Sequence, residues 1–228
     1  MVNKDQWCFA WLVDRRGGAG SDRATLVRGA KWAPGTIITV SFLDGDPVVQ
    51  EKVRQAALQW TKPRMANLTL DFRRDTDTLI RISFQYDGSW STIGTSGRQL
   101  TDKARPTMNY GWLDASSPEE EVQHVVLHEF GHALGLVHEH QSPGGEIHWD
   151  RAAVIRELSG PPNNWTLDEI ERNVFQPYAK QETNFTQVDP QSIMMYPIPK
   201  SWTTDGFSGG LNSALSPTDK AFIRVQYP

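Results

Sequence analysis

The chain has 228 residues, 23 Lys+Arg against 27 Asp+Glu, a formal charge of −4 and 38% hydrophobic residues, with nine Trp and nine Phe as bulky core material. That length fits one domain large enough to bury a core without staples, and a single cysteine, Cys8, excludes an internal disulfide framework. The mild acidity argues against a nucleic-acid partner, which calls for a basic face. The apolar runs fall far short of the roughly 20 residues of a membrane helix.

An apolar patch at 7–13 is too short for a secretory signal and lacks a small-residue cleavage site. Residues 14–24 (DRRGGAGSDRA) are polar and Gly-rich and read as a flexible link. The β-branched run 36–42 (TIITVSF) predicts a strand. In the turn LDGDP that follows, Asp46 caps a helix with Pro47 at its first position. Asp44 and Asp46 are read as turn residues rather than a calcium site. Apolar residues at helical spacing extend that helix over 48–60, and alternation predicts strands at 68–72 and 79–84. A polar loop leads to a short strand at 107–112.

Ser117-Pro118-Glu119-Glu120 reads as a capping box opening a long helix, with Gly135 as its stop. Further helices are expected at 150–158, at 166–175 behind a Thr166/Glu169 capping box, and from Ser216-Pro217 to about residue 225. Strands early and helices late favour an α+β fold.

All six histidines (124, 128, 132, 138, 140 and 148) fall in one window. Within it runs HEFGHALGLVH, residues 128–138. His128 and His132 are four apart, so both rings leave one helix face and can reach one metal ion. Glu129 stands beside them, within reach of a water at the metal without being a ligand. Gly135 can end the helix in a left-handed conformation, and the chain can then double back to bring His138 as third ligand. Three neutral imidazoles with a fourth position open describe a catalytic zinc rather than a structural one.

This segment resembles the zinc signature of the metzincin metalloproteases, most closely the astacin-like members, in a microbial branch without their disulfides. The resemblance implies a twisted, mostly parallel sheet with an antiparallel edge strand, a zinc-binding helix and an irregular helical lower lobe. It implies a methionine turn at 192–196 (SIMMY), with Met194 under the three rings and Tyr196 as a phenol near the zinc. Glu139 matches the glutamate that follows the third histidine. The substrate would add as an antiparallel strand along Thr107, Met108, Asn109 and Tyr110.

The implied division is a pro-like segment at 1–30, an upper lobe at 31–138 and a lower lobe at 139–228 holding the methionine turn and C-terminal helix. One zinc ion, protein or peptide substrates and a monomer, with a proteinaceous inhibitor or pro-segment as a further partner, complete the expectation. The location would be secreted or extracellular, with the cytoplasm as alternative.

The chemistry is then peptide-bond hydrolysis, with Glu129 as general base and afterwards general acid, and Tyr196 supporting the oxyanion. Two other readings compete: a non-catalytic binding module with a relic zinc site, and a zinc amidase acting on a non-protein amide. His124 is expected at the surface, His140 and His148 in structural roles, and Met195 as core filler. Cys8 is either a small buried hydrophobe or a latent fourth ligand on the zinc.

Overall fold

The structure is a computed structural model. It describes residues 8–11 by backbone alone, and residues 29–143, 145–161, 163–178 and 187–228. Its strands are β1 (Cys8–Trp11), β2 (Ile37–Phe42), β3 (Thr69–Phe72), β4 (Ile80–Ser83), β5 (Ser89–Thr92) and β6 (Met108–Tyr110). Its helices are α1 (Pro47–Ala57), α2 (Glu119–Ala133), α3 (Arg151–Leu158), α4 (Leu167–Ile170) and α5 (Pro217–Gln226). This is the expected metzincin architecture, a mixed sheet carrying helices.

The sheet runs in the order β1-β5-β6-β4-β2-β3. Every pairing is parallel except β5 with β6. Ile38 and Val40 of β2 are fully buried, and all four residues of β4 are buried, as strands covered on both faces require. Helices α1 and α2 pack against one another. Asp46 accepts the Val48 N–H at 2.7 Å and Pro47 occupies the first turn of α1, while Val49, Val53, Ala56 and Ala57 form its buried stripe. Asp44 accepts Ser83 Oγ and the Phe84 N–H, so both aspartates serve this turn.

Two expectations are corrected. Ser117 does not cap α2: its hydroxyl accepts the Asp114 N–H at 2.9 Å within a tight turn, and α2 starts after Pro118 with no side-chain cap. Nor are Thr107, Met108, Asn109 and Tyr110 a sheet edge. β6 lies between β4 and β5, and Thr107 itself donates to the Arg81 carbonyl and accepts from the Thr92 N–H. Its backbone groups are spent on neighbours, leaving none for a substrate strand. Two strands lie outside β6: β5, whose sequence SWST is too short and polar to stand out from its loop, and β1, which forms that edge.

Buried apolar residues form two clusters. The larger unites the sheet with α1 and α2, and it includes Met194 together with Leu215, Ile223 and Tyr227 around α5. The smaller gathers Ile147, Val154, Leu158, Ile170, Val174, Met195, Tyr196, Ile198 and Trp202. The chain therefore passes from one core to the other between Met194 and Met195. Helix α5 starts in a complete capping box, Ser216 with Asp219. The Thr166/Glu169 box is also present, but α4 runs for one turn before widening into a π-helix over Glu171–Phe175. No helix among the described residues is long and apolar enough to cross a membrane.

Candidate metal centre

Helix α2 carries His128 and His132 one turn apart on its buried face, with Glu129 between them. Gly135 has φ of +93°, a conformation that ends the helix. The turn is closed by Gly135 N–H to the His132 carbonyl and Leu136 N–H to the Gly131 carbonyl. This reversal returns the chain so that His138 meets the helical pair. The rings of His128, His132 and His138 lie with centroids 4.7 to 5.3 Å apart. One ligand atom from each lies within 4.8 Å of the others, and all three residues are buried.

The donor set fits a zinc ion. His128 Nδ1 bonds the Ile193 carbonyl at 2.7 Å, and His132 Nδ1 bonds the Leu136 carbonyl at 3.0 Å. A carbonyl only accepts, so each Nδ1 holds the proton and each Nε2 is a bare lone pair. His128 Nε2 is buried without a hydrogen-bond partner. His132 Nε2 and His138 Nε2 face one another at 3.2 Å. Two ligands held at 2.0–2.1 Å by a tetrahedral ion stand about 3.3 Å apart. Burial, and then the neighbouring imidazoles, holds His128 and His138 well below the ordinary imidazole pKa, and burial brings His132 down to about 4. The rings are thus neutral at pH 7, the state a metal requires.

Around this cluster the second half of the chain supplies orientation. Met194 lies against α2, so close that a Cβ on Gly131 would come 2.3 Å from its sulfur. Its carbonyl accepts the Glu139 N–H at 2.9 Å. Asp219 of α5 accepts from Ser192 Oγ and from the Ile193 N–H, fixing the residue whose carbonyl orients His128. Tyr196 is buried with its ring 4.9 Å from that of His138. Glu139 accepts the Asp189 N–H, and burial pushes its carboxyl up to about 7.

Of the other histidines, one departs from expectation. His124 is half-buried rather than at the surface, its Nδ1 on the Asn212 carbonyl at 2.7 Å and its ring 6.3 Å from His128. His140 is buried, with Nε2 on the Asn173 carbonyl and its ring 4.8 Å from Tyr196, while His148 is exposed. Met195 fills the smaller core as expected. The side chain of Cys8, and with it the latent-ligand expectation, lies outside the described residues, as does the segment 1–30 apart from the backbone of Cys8–Trp11 and from Gly29 and Ala30.

A pocket opens beside Glu129 and His128, lined also by Ser89, Trp112, Val125, Tyr196 and Pro197. Ser89, Trp112 and the Ile193 carbonyl that orients His128 gave no signal in the sequence, because each reaches the site from a distant part of the chain.

Sheet, helix, glycine turn and three converging imidazoles define a metzincin-type zinc site. No protein-family model matches the chain. A solved structure of myroilysin is 43% identical, with a TM-score of 0.84 over 89% of this chain and 97% of that one. A hatching enzyme of the medaka fish Oryzias latipes, described as a zinc-protease, shares the fold at 16% identity, with a TM-score of 0.56 over 86% of this chain and 92% of its own. Among curated proteins, zinc metalloproteinase nas-38 of Caenorhabditis elegans is 26% identical over 86% of this chain. Zinc metalloproteinase nas-24 of the same organism is 30% identical over 50% of it. The chain spans 23% to 33% of the length of the curated relatives it matches. The chain belongs to the astacin-like family of metzincin zinc metalloproteases.

Proposed function

We propose that this chain is a zinc-dependent endopeptidase whose ligands are His128, His132 and His138 and whose general base is Glu129. The observation that carries this reading is the convergence of three buried neutral imidazoles with a carboxylate next to them on α2. Zinc, when bound there, supplies a Lewis acid that polarises a carbonyl and acidifies water. Glu129 takes the proton of the attacking water and later delivers it to the leaving amine. The Tyr196 phenol, packed on His138, donates to the oxyanion that develops on the substrate carbonyl. Met194 props α2 from beneath, Gly135 sets the reversal that delivers His138, and Glu139 ties His138 to the loop at Asp189.

The same reading divides the chain into an upper lobe, 31–138, and a lower lobe, 139–228, with the substrate cleft between them. The two apolar clusters support that division, although α5 packs with the upper one. Protein or peptide substrates, a monomeric state and a location outside the cytoplasm come with the family likeness.

The test is Glu129→Ala. The variant should bind zinc like the parent and lose casein hydrolysis by at least about 100-fold, the lower end of what a general base contributes. Near-parental cleavage by the variant would refute Glu129 as base. A parent that holds zinc and cuts no peptide would instead favour the binding module or the amidase.

A further inference from the structure

The pocket beside Glu129 contains polar atoms that neither the zinc cluster nor the hydrolytic step uses. Ser89, at the start of β5, is 1% exposed and its Oγ has no hydrogen-bond partner. Trp112, just past β6, likewise buries an unpartnered Nε1. Both residues line the pocket. An indole N–H can only donate, and a serine hydroxyl can donate as well. Buried donors left unpaired are costly, so such a pair is matched to an incoming acceptor.

His124 lines the same pocket, and its Nδ1 sits 2.7 Å from the Asn212 carbonyl. That bond commits the ring proton to Nδ1 and leaves Nε2 as an acceptor. Val125, Met195 and Pro197 supply apolar wall, and no Lys or Arg is among the lining residues. Apart from the zinc ligand His128 and the hydrolytic groups Glu129 and Tyr196, the lining therefore offers two donors and one acceptor against an apolar background, with no basic side chain to pair with a carboxylate.

We propose that this pocket is a subsite for a carboxamide side chain, asparagine or glutamine, on the residue flanking the bond to be cut. The amide oxygen would accept from Ser89 and Trp112, and the amide nitrogen would donate to His124. A carboxylate of the same shape lacks the donor for His124, and leucine leaves all three groups unpaired. The proposal rests on the peptidase reading above and names the substrate class for that site.

The experiment is a peptide-library digest by the zinc-loaded full chain, read on both sides of the cut, and repeated with Ser89→Ala and Trp112→Phe. Parent enzyme should favour Asn or Gln over Leu and over Asp or Glu at one flanking position by about 10–100-fold. Each substitution should reduce that ratio by about tenfold. A ratio is unaffected by partial unfolding, which lowers all rates together. A preference for leucine or glutamate, or a carboxamide preference that survives both substitutions, overturns the proposal while leaving the peptidase reading intact. A digest in which no peptide is cut overturns both.

Discussion

Gly131 stands immediately before His132 in α2, where a helix interior would ordinarily gain about 1 kcal/mol from alanine. Here the sign should reverse. An alanine Cβ would meet the Met194 sulfur at 2.3 Å and Trp60 Cζ2 at 3.4 Å, both in the larger core. The glycine is the slot into which the methionine turn fits, and filling it pushes the turn away from the helix. Gly131→Ala should therefore destabilise the zinc-free protein by about 1–3 kcal/mol, measured as a shift in the urea midpoint. Truncating Met194 to alanine opens the slot, so the cost of Gly131→Ala should shrink in that background by about 1 kcal/mol or more. Equal costs in both backgrounds would mean that the two residues are not packed as described.

Helix α2 ends where its last carbonyls have no partner within the helix. Those carbonyls are met from far along the chain: Trp32 Nε1 donates to Ala133 at 2.8 Å, and the Tyr227 hydroxyl donates to Leu134 at 2.6 Å. Tyr227→Phe leaves a buried carbonyl unsatisfied and should cost about 1–3 kcal/mol at neutral pH. Burial pushes the Tyr227 phenol up to about 12 from an ordinary value of 10.0. Its contribution is thus complete below pH 10 and is lost as pH rises through 12, because the unfolded chain releases the proton first. Two pKa units correspond to about 2.7 kcal/mol, so the stability gap between parent and Tyr227→Phe should close between pH 10 and 12. A gap constant over that range would show that the phenol is not held protonated by the fold. Such long-range partners mark the boundary of what the amino-acid pattern reveals. The site was legible because spacing within 128–138 alone brings the three histidines and Glu129 together, with Gly135 supplying the reversal. The edge of the sheet was not, because β5 is four polar-looking residues defined only by their pairing with β6 and with β1, the strand that forms that edge. His124 was misread for the same reason: only a carbonyl 88 residues away, at Asn212, shows that it faces inward.

At the scale of the molecule the centre lies on the seam between the two cores. His128 and His132 belong to α2, packed in the larger core, whereas Tyr196 belongs to the smaller, with Met194 and Met195 divided between them. His138 follows the turn that leaves α2, and its neighbour Glu139 bonds both Met194 and Asp189. An ion held by His128, His132 and His138 is therefore a cross-link between the last turns of α2 and the segment that opens the second half of the chain. Without it, the buried His128 Nε2 has no partner and His132 Nε2 and His138 Nε2 have only each other at 3.2 Å, an arrangement that favours local opening. Removing zinc with a chelator should lower the melting temperature, and re-adding zinc should restore it. With free zinc at about 1,000 times its dissociation constant the stabilisation is about 4 kcal/mol, or roughly 8–16 °C for a domain of this size. His132→Ala should melt near the chelated parent and respond little to zinc. If chelation leaves the melting temperature of the parent unchanged while its zinc content falls to zero, the two cores are held by packing alone and the ion has no part in joining them.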